Sequence, residues 1–209
     1  MNFLAHLHLA APNPDAIVGN AIADLIRGPD LSLLPPAIQV GVRTHRKIDA
    51  FTDSHRDVNR SIARISERWG WFSGIVIDIY YDHILATEWP DYCDEPYRDF
   101  AERMYDVLEG AKPHVNAEGL FFLDKFRETD RLGQYATVDG IADTLFRVSE
   151  RIFKRIPKRA LPLHEAMPQL TALHGELRDD FRAFYPELRR YAAGLQEAPP
   201  QATLGEPLA

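Results

Sequence analysis

Cysteine is almost absent from this sequence, which contains one, Cys93, among 209 residues. A single cysteine excludes an intramolecular disulfide and a multi-cysteine zinc site. No stretch reaches the roughly 20 apolar residues of a membrane span. The first residues, MNFLAHLHLAAPNPDA, also lack the basic leader of a signal peptide. We therefore expect a cytoplasmic protein without a membrane segment.

Positive charge is also scarce, because 24 Lys and Arg residues face 31 Asp and Glu residues and the formal net charge is -7. Nucleic-acid binding depends on clustered cations, so this balance disfavours a nucleic-acid partner. Glycine-rich phosphate loops, dinucleotide fingerprints and serine elbow motifs are missing as well. Local basic clusters remain in RTHRK, 43–47, and RIFKRIPKR, 151–159. Such clusters attract acidic partners.

Helical periodicity runs through most of the sequence, and no alternating strand pair with a hairpin turn accompanies it. The pattern predicts one all-α domain, a helical bundle, over residues 1–195. The Pro- and Ala-rich end has little to bury and predicts a flexible tail at 196–209. The predicted helices run from Asp15 to Gly28 and from Pro35 to Thr52, then near 57–68, 71–88, 96–110, 118–129, 137–156, 163–184 and 186–195.

Two ionisable residues interrupt the apolar stripe of the helix predicted in GVRTHRKIDAFTDSH, 41–55. His45 and Asp49 fall in line with Val42 and Ile38 at helical steps of three and four. A buried ionisable group is costly unless it is paired or bound to a metal. The pattern therefore predicts either a metal site or a hydrogen-bonded pair in the core.

Two further helices carry the same anomaly. The apolar segment WFSGIVIDIYYDHILATEW contains Asp78, Asp82 and His83, and VGNAIADLIRG contains Asp24. The aspartates of the first segment can instead accept hydrogen bonds from its tyrosines or from an arginine of another helix. Because three helices share the pattern, we favour a site for a divalent ion such as manganese, iron, magnesium or zinc.

Histidines and arginines near these segments are candidates for other roles. His6 and His8 lie amid apolar residues. Each can be a metal ligand, a general acid or a polar residue of the core, and for His8 alone the core role is favoured. Arg27 and Arg46 can balance charge on a phosphate bound in the site. Lys47 shares their neighbourhood but is typical of an exposed charged helix face.

The motifs of this sequence resemble those of the acyl carrier protein phosphodiesterases. The matching stretches, in order, are MNFLAHLHLA, GNAIADLIRG, GVRTHRKIDAFTDSH and DIYYDHILATEW. The resemblance implies an all-helical fold related to the HD-domain metal phosphohydrolases. It also implies hydrolysis of the phosphodiester that joins phosphopantetheine to a serine of holo acyl carrier protein, with manganese as the usual activating ion.

The resemblance carries a metal role onto Asp24, His45, Asp49, Asp82 and His83, and Asp78 is added from its position on the same helix. HD-domain enzymes have an adjacent His then Asp, whereas the adjacent pair here is Asp82 then His83. Their ligand assignments therefore cannot be transferred one to one.

These residues lead to a hypothesis for the reaction. Bound metal activates water, Arg27 or Arg46 offsets phosphate charge, and His6 or His8 protonates the leaving serine oxygen. Acyl carrier proteins are acidic, so Arg43, Arg46 and Lys47, or the cluster at 151–159, are expected to bind the partner. The alternatives are a phosphohydrolase for a small nucleotide or phosphoester and a non-catalytic module that binds acyl carrier protein.

Overall fold

A computed structural model of the protein describes residues 1–10, 13–26 and 28–197. These residues confirm the predicted all-α fold, and none of their helices is long and apolar enough to cross a membrane. The predicted tail lies outside the described residues from position 198 onward. The helices are α1 Phe3–Ala10, α2 Pro14–Ile22, α3 Pro36–Ser54, α4 Arg56–Trp69, α5 Ser73–Thr87, α6 Tyr97–Glu109, α7 Ala117–Glu128, α8 Arg131–Tyr135, α9 Val138–Arg155, α10 Met167–Ala172 and α11 His174–Glu197.

Two helix boundaries differ from those predicted from the sequence. Helix α2 ends at Ile22, before the predicted stop at Gly28, because a short 3-10 turn, Ala23–Leu25, follows it. The predicted start of a new helix at Pro186 is wrong, since α11 continues through this proline. Pro186 is exposed, and the buried Tyr185 and Leu188 on either side hold the helix against the core.

Helix α5 passes through the middle of the fold. Most of its side chains are buried, so the helix is covered around nearly its whole circumference. Helices α1, α4, α9 and α11 pack against it. This arrangement explains why the segment is apolar on all sides, and it makes each polar side chain of α5 a buried group that needs a partner.

Helices α2 and α3 cross with their backbones in close contact. A Cβ atom on Gly19 would lie 2.1 Å from the Ile38 carbonyl oxygen, and one on Gly41 would lie 2.4 Å from the Ala16 carbonyl oxygen. Only glycine fits at these two positions, because any side chain would force the helices apart. The crossing brings the end of α2 close to the middle of α3, where His45 lies.

Candidate metal centre

Three side chains from two helices converge beside the crossing. His6 of α1 and His45 and Asp49 of α3 each offer a ligand atom, and these atoms lie within 4.8 Å of one another. Asp49 joins the two histidines, with 3.0 Å from Oδ1 to Nε2 of His6 and 3.0 Å from Oδ2 to Nε2 of His45. The two imidazole rings are stacked, with centroids 3.8 Å apart. We call these three residues the His-Asp cluster.

Asn20 sets the orientation of His6. Its side-chain oxygen lies 2.9 Å from Nδ1 of His6, and both residues are buried. An amide oxygen only accepts hydrogen bonds, so Nδ1 donates its proton to Asn20 and Nε2 keeps its lone pair. That lone pair points toward Asp49. In metal sites, the ring nitrogen of a ligand histidine that does not bind the metal commonly donates a hydrogen bond that fixes the ring orientation.

The two histidines of the cluster differ in charge. Burial, together with the nearby charge of His45, lowers the pKa of His6 to about 4. Burial acts in the same direction on His45, but hydrogen bonds to Asp24 and Asp49 outweigh it and raise the pKa to about 9. At neutral pH His6 is therefore neutral and His45 is protonated. Burial alone would raise the pKa of Asp49, but its close contacts with His45 and His6 hold it well below its usual range.

Two further carboxylates flank the cluster. Oδ1 of Asp24 lies 3.3 Å from Nε2 of His45, and the Asp24 side chain is 69% exposed, so it marks the solvent side of the site. Asp78 of α5 lies on another side, 3.3 Å from the amino group of Met1, which is also 3.6 Å from Asp49. Burial raises the pKa of Asp78, while the amino group opposes this shift.

The cluster fits a divalent cation. The His6 lone pair faces a carboxylate oxygen of Asp49 at 3.0 Å, an arrangement that a bound cation stabilises. The buried Nδ1 of His45 has no hydrogen-bond partner among the described residues, so this ring is hydrogen-bonded through Nε2. Two imidazoles with one or two carboxylates suit manganese, iron and zinc, whereas magnesium prefers oxygen ligands.

Comparison with known proteins identifies the family. The family model described as acyl carrier protein phosphodiesterase matches residues 1–188. The chain belongs to this family. The acyl carrier protein phosphodiesterase of Yersinia pestis is 33% identical over 196 residues, covering 92% of this chain and 97% of that protein. The protein of the same name from Pectobacterium atrosepticum is 31% identical over 206 residues, covering 92% and 97%.

The match to the acyl carrier protein phosphodiesterase family confirms the family that the four motifs indicated. It spans every helix that contributes to the His-Asp cluster. No solved structure gives a significant match, so the expected relation to HD-domain enzymes rests on the sequence resemblance alone.

Two residues of the family motifs lie apart from the His-Asp cluster. Asp82 is fully buried and accepts hydrogen bonds from the backbone N–H groups of Leu4, at 2.7 Å, and Ala5, at 3.2 Å. It therefore caps the start of α1 from across the core. His83 points elsewhere, with its Nδ1 2.7 Å from the Tyr135 carbonyl oxygen. Neither side chain belongs to the group of converging ligand atoms.

The other predicted site residues have separate positions. His8 follows His6 by two residues and so projects from the other side of α1, where Nδ1 lies 2.7 Å from the Tyr185 hydroxyl. Arg46 donates to the Gly28 carbonyl oxygen at 2.8 Å. Arg43 and Lys47 are exposed on α3, and Arg27 lies outside the described residues.

Asn20 was missed by the sequence reasoning as a functional residue. Its position on the same helix edge as Asp24 was visible, since the two are four residues apart. An amide does not titrate and is a weak ligand, so nothing in the motif distinguished it from a capping or core residue. Its role emerges only once His6 is placed beside it.

Proposed function

We propose that this protein is a metal-dependent phosphodiesterase that removes phosphopantetheine from the serine of holo acyl carrier protein. The convergence of His6, His45 and Asp49 in a member of this family is the observation that carries the proposal. Water adds to phosphorus while the bond to the serine oxygen breaks, and that oxygen takes up a proton. The products are apo acyl carrier protein and phosphopantetheine. The proposal places the reaction in the cytoplasm.

The residues that would hold the metal are His6, His45 and Asp49, with Asp24 as a further oxygen donor at the solvent side. Manganese is our choice because of the family resemblance, and iron, zinc and magnesium are the alternatives. A divalent cation supplies Lewis acidity toward water and toward a phosphoryl oxygen.

The protein supplies the positioning of these ligands. Asn20 holds His6 in the tautomer that leaves Nε2 free, and Asp49 keeps both imidazoles on one side of the site. Asp24 is largely exposed, so substrate enters beside it. Arg46 donates to the Gly28 carbonyl oxygen and so supports the loop after Asp24. We assign its cation the role of balancing charge on the phosphodiester.

Intact-protein mass spectrometry of holo acyl carrier protein tests the proposal. We expect the carrier to lose the mass of phosphopantetheine when incubated with the enzyme and manganese, and to keep it when a chelator is present. A His45→Ala variant should leave the carrier unchanged, because this side chain contacts both Asp24 and Asp49.

Two outcomes of this assay contradict the proposal. A carrier that stays intact with every divalent ion, while small phosphodiesters are hydrolysed, indicates a small-substrate hydrolase. A carrier that binds but stays intact, with no turnover of small esters, indicates a non-catalytic binding module.

Metal affinity should depend on pH through His45. Its pKa is raised to about 9 in the metal-free protein, so a metal that binds its Nε2 at pH 7 must displace a proton. The pKa of His6 is lowered to about 4, so this ring contributes no proton near neutrality. We expect release of about one proton per metal ion at pH 7 and an affinity that rises about tenfold per pH unit from pH 6 to 8.

Isothermal titration with manganese in buffers of different ionisation enthalpy measures this proton release. The His45→Ala variant should release far fewer protons while binding the ion more weakly. If the native protein releases no protons at pH 7, His45 is not a ligand.

A further inference from the structure

A leucine is exposed to solvent in the loop between the Asp24 turn and α3. Leu33 is 97% exposed, while its neighbours Leu31 and Leu34 are buried at 5% and 9% exposure. The loop that carries it, residues 28–35, joins the turn containing Asp24 to the start of α3. Its buried neighbours fix the backbone on both sides of Leu33, so its exposure follows from the shape of the loop.

Side chains of α3 fasten this loop at both ends. Arg46 donates to the Gly28 carbonyl oxygen at 2.8 Å. Gln39 donates to the Leu34 carbonyl oxygen at 2.9 Å and accepts from Arg43 at 2.7 Å. The exposed leucine and the basic residues of α3 therefore form one continuous surface. We call Leu33, Arg43, Arg46 and Lys47 the α3 docking face.

The α3 docking face carries positive charge without compensation. Within the described part of the chain, no carboxylate lies within 4.0 Å of the charged nitrogens of Arg43, Arg46 or Lys47. The whole chain has a net charge of -7, so an acidic partner is repelled except where such cations gather. The face therefore combines charge that attracts carboxylates with one apolar anchor.

The α3 docking face also borders the candidate metal centre. Arg46 follows His45 on the same helix and lies one turn before Asp49, and Arg43 lies one turn before Arg46. The other basic cluster, at 151–159, belongs to the end of α9 and the turn after it, and α9 packs against α5 and α8. A bond on the surface of a protein substrate can reach the cluster only if that protein docks beside it.

We propose that the α3 docking face binds the acidic carrier protein, with Leu33 entering an apolar hollow of the carrier and Arg43 and Lys47 pairing with its carboxylates. This inference rests on the proposed function for the identity of the partner. It adds the surface that the partner uses and an apolar contact that the charge pattern alone does not indicate.

Equilibrium binding of holo carrier protein to the full-length protein, in chelator so that no turnover occurs, tests this surface. We expect Leu33→Ser to raise Kd about 10-fold at any salt concentration, because the lost contact is apolar. Arg43→Glu and Lys47→Glu should each raise Kd about 5- to 10-fold at low salt, and this effect should shrink at about 0.5 M salt.

Phe121→Ser, which removes a large exposed apolar side chain from α7, should leave Kd within about twofold. An unchanged Kd for Leu33→Ser, or a rise in Kd for Lys154→Glu that exceeds those at the α3 docking face, overturns the inference. If the variants of the α3 docking face lose binding but the native protein shows no turnover, the docking surface is supported and the proposed reaction is contradicted. Turnover by the native protein with unchanged Kd in all three variants contradicts the surface alone.

Discussion

Replacement of Asp49 by asparagine is expected to lower kcat/KM toward holo acyl carrier protein by about 1,000-fold or more. Each oxygen of Asp49 lies 3.0 Å from a different histidine, so this carboxylate contacts both imidazoles of the cluster. Asparagine keeps the size but presents an N–H group to one imidazole and removes the negative charge. A loss of about 4 kcal/mol of transition-state stabilisation, typical of an impaired metal site, gives a 1,000-fold effect.

Initial rates of apo carrier formation measure this loss, and manganese binding followed by electron paramagnetic resonance measures its cause. Asp53→Asn is the matched control, because Asp53 lies one turn later on the same helix and is exposed. We expect the control to retain activity within about threefold. If Asp49→Asn binds manganese as tightly as the native protein, the metal site is elsewhere.

The sequence alone predicted the part of the site that lies within one helix. His45 and Asp49 share a helical stripe, and a spacing of four residues places them together whatever the rest of the fold does. Asp24 was also predicted beside them, and the close glycine contact between α2 and α3 brings it there. Local periodicity is sufficient for a pair within one helix, such as His45 and Asp49.

Partners that are far apart in sequence could not be predicted in this way. Asp82 is 78 residues from Leu4, and the sequence shows only that it is polar in an apolar helix. A buried carboxylate can be stabilised by a bound metal or by hydrogen bonds from the free N–H groups at the start of a helix. The sequence pattern does not distinguish these two roles. For His6 the difficulty was similar, because an isolated histidine in a short apolar helix does not show which residues it will contact. Its contacts with Asn20 and Asp49 come from three-dimensional packing.

Replacement of Asp82 by alanine is expected to destabilise the metal-free protein by about 2 to 4 kcal/mol. The substitution leaves the buried N–H groups of Leu4 and Ala5 without acceptors, and each unpaired buried donor costs about 1 to 3 kcal/mol. Because α1 carries His6, loosening of its first turn should also weaken manganese binding. Urea unfolding in chelator measures the stability, and metal titration measures the affinity.

Thr137→Ala is the control for this change, because Thr137 accepts a hydrogen bond from the Gly140 N–H at the exposed start of α9 and its loss should cost only about 1 kcal/mol. The effect at Asp82 should also depend on pH. Burial raises the pKa of Asp82 from 3.8 to about 7, although the Leu4 N–H opposes this shift.

The folded state thus binds the Asp82 proton more tightly than the unfolded state, and the stability gained from protonation is full below about pH 3.8 and lost as pH rises through about 7. The difference in stability between the native protein and Asp82→Ala should therefore shrink between pH 6 and pH 8. A ligand role for Asp82 predicts a different result, in which manganese affinity falls but the stability of the metal-free protein is unchanged.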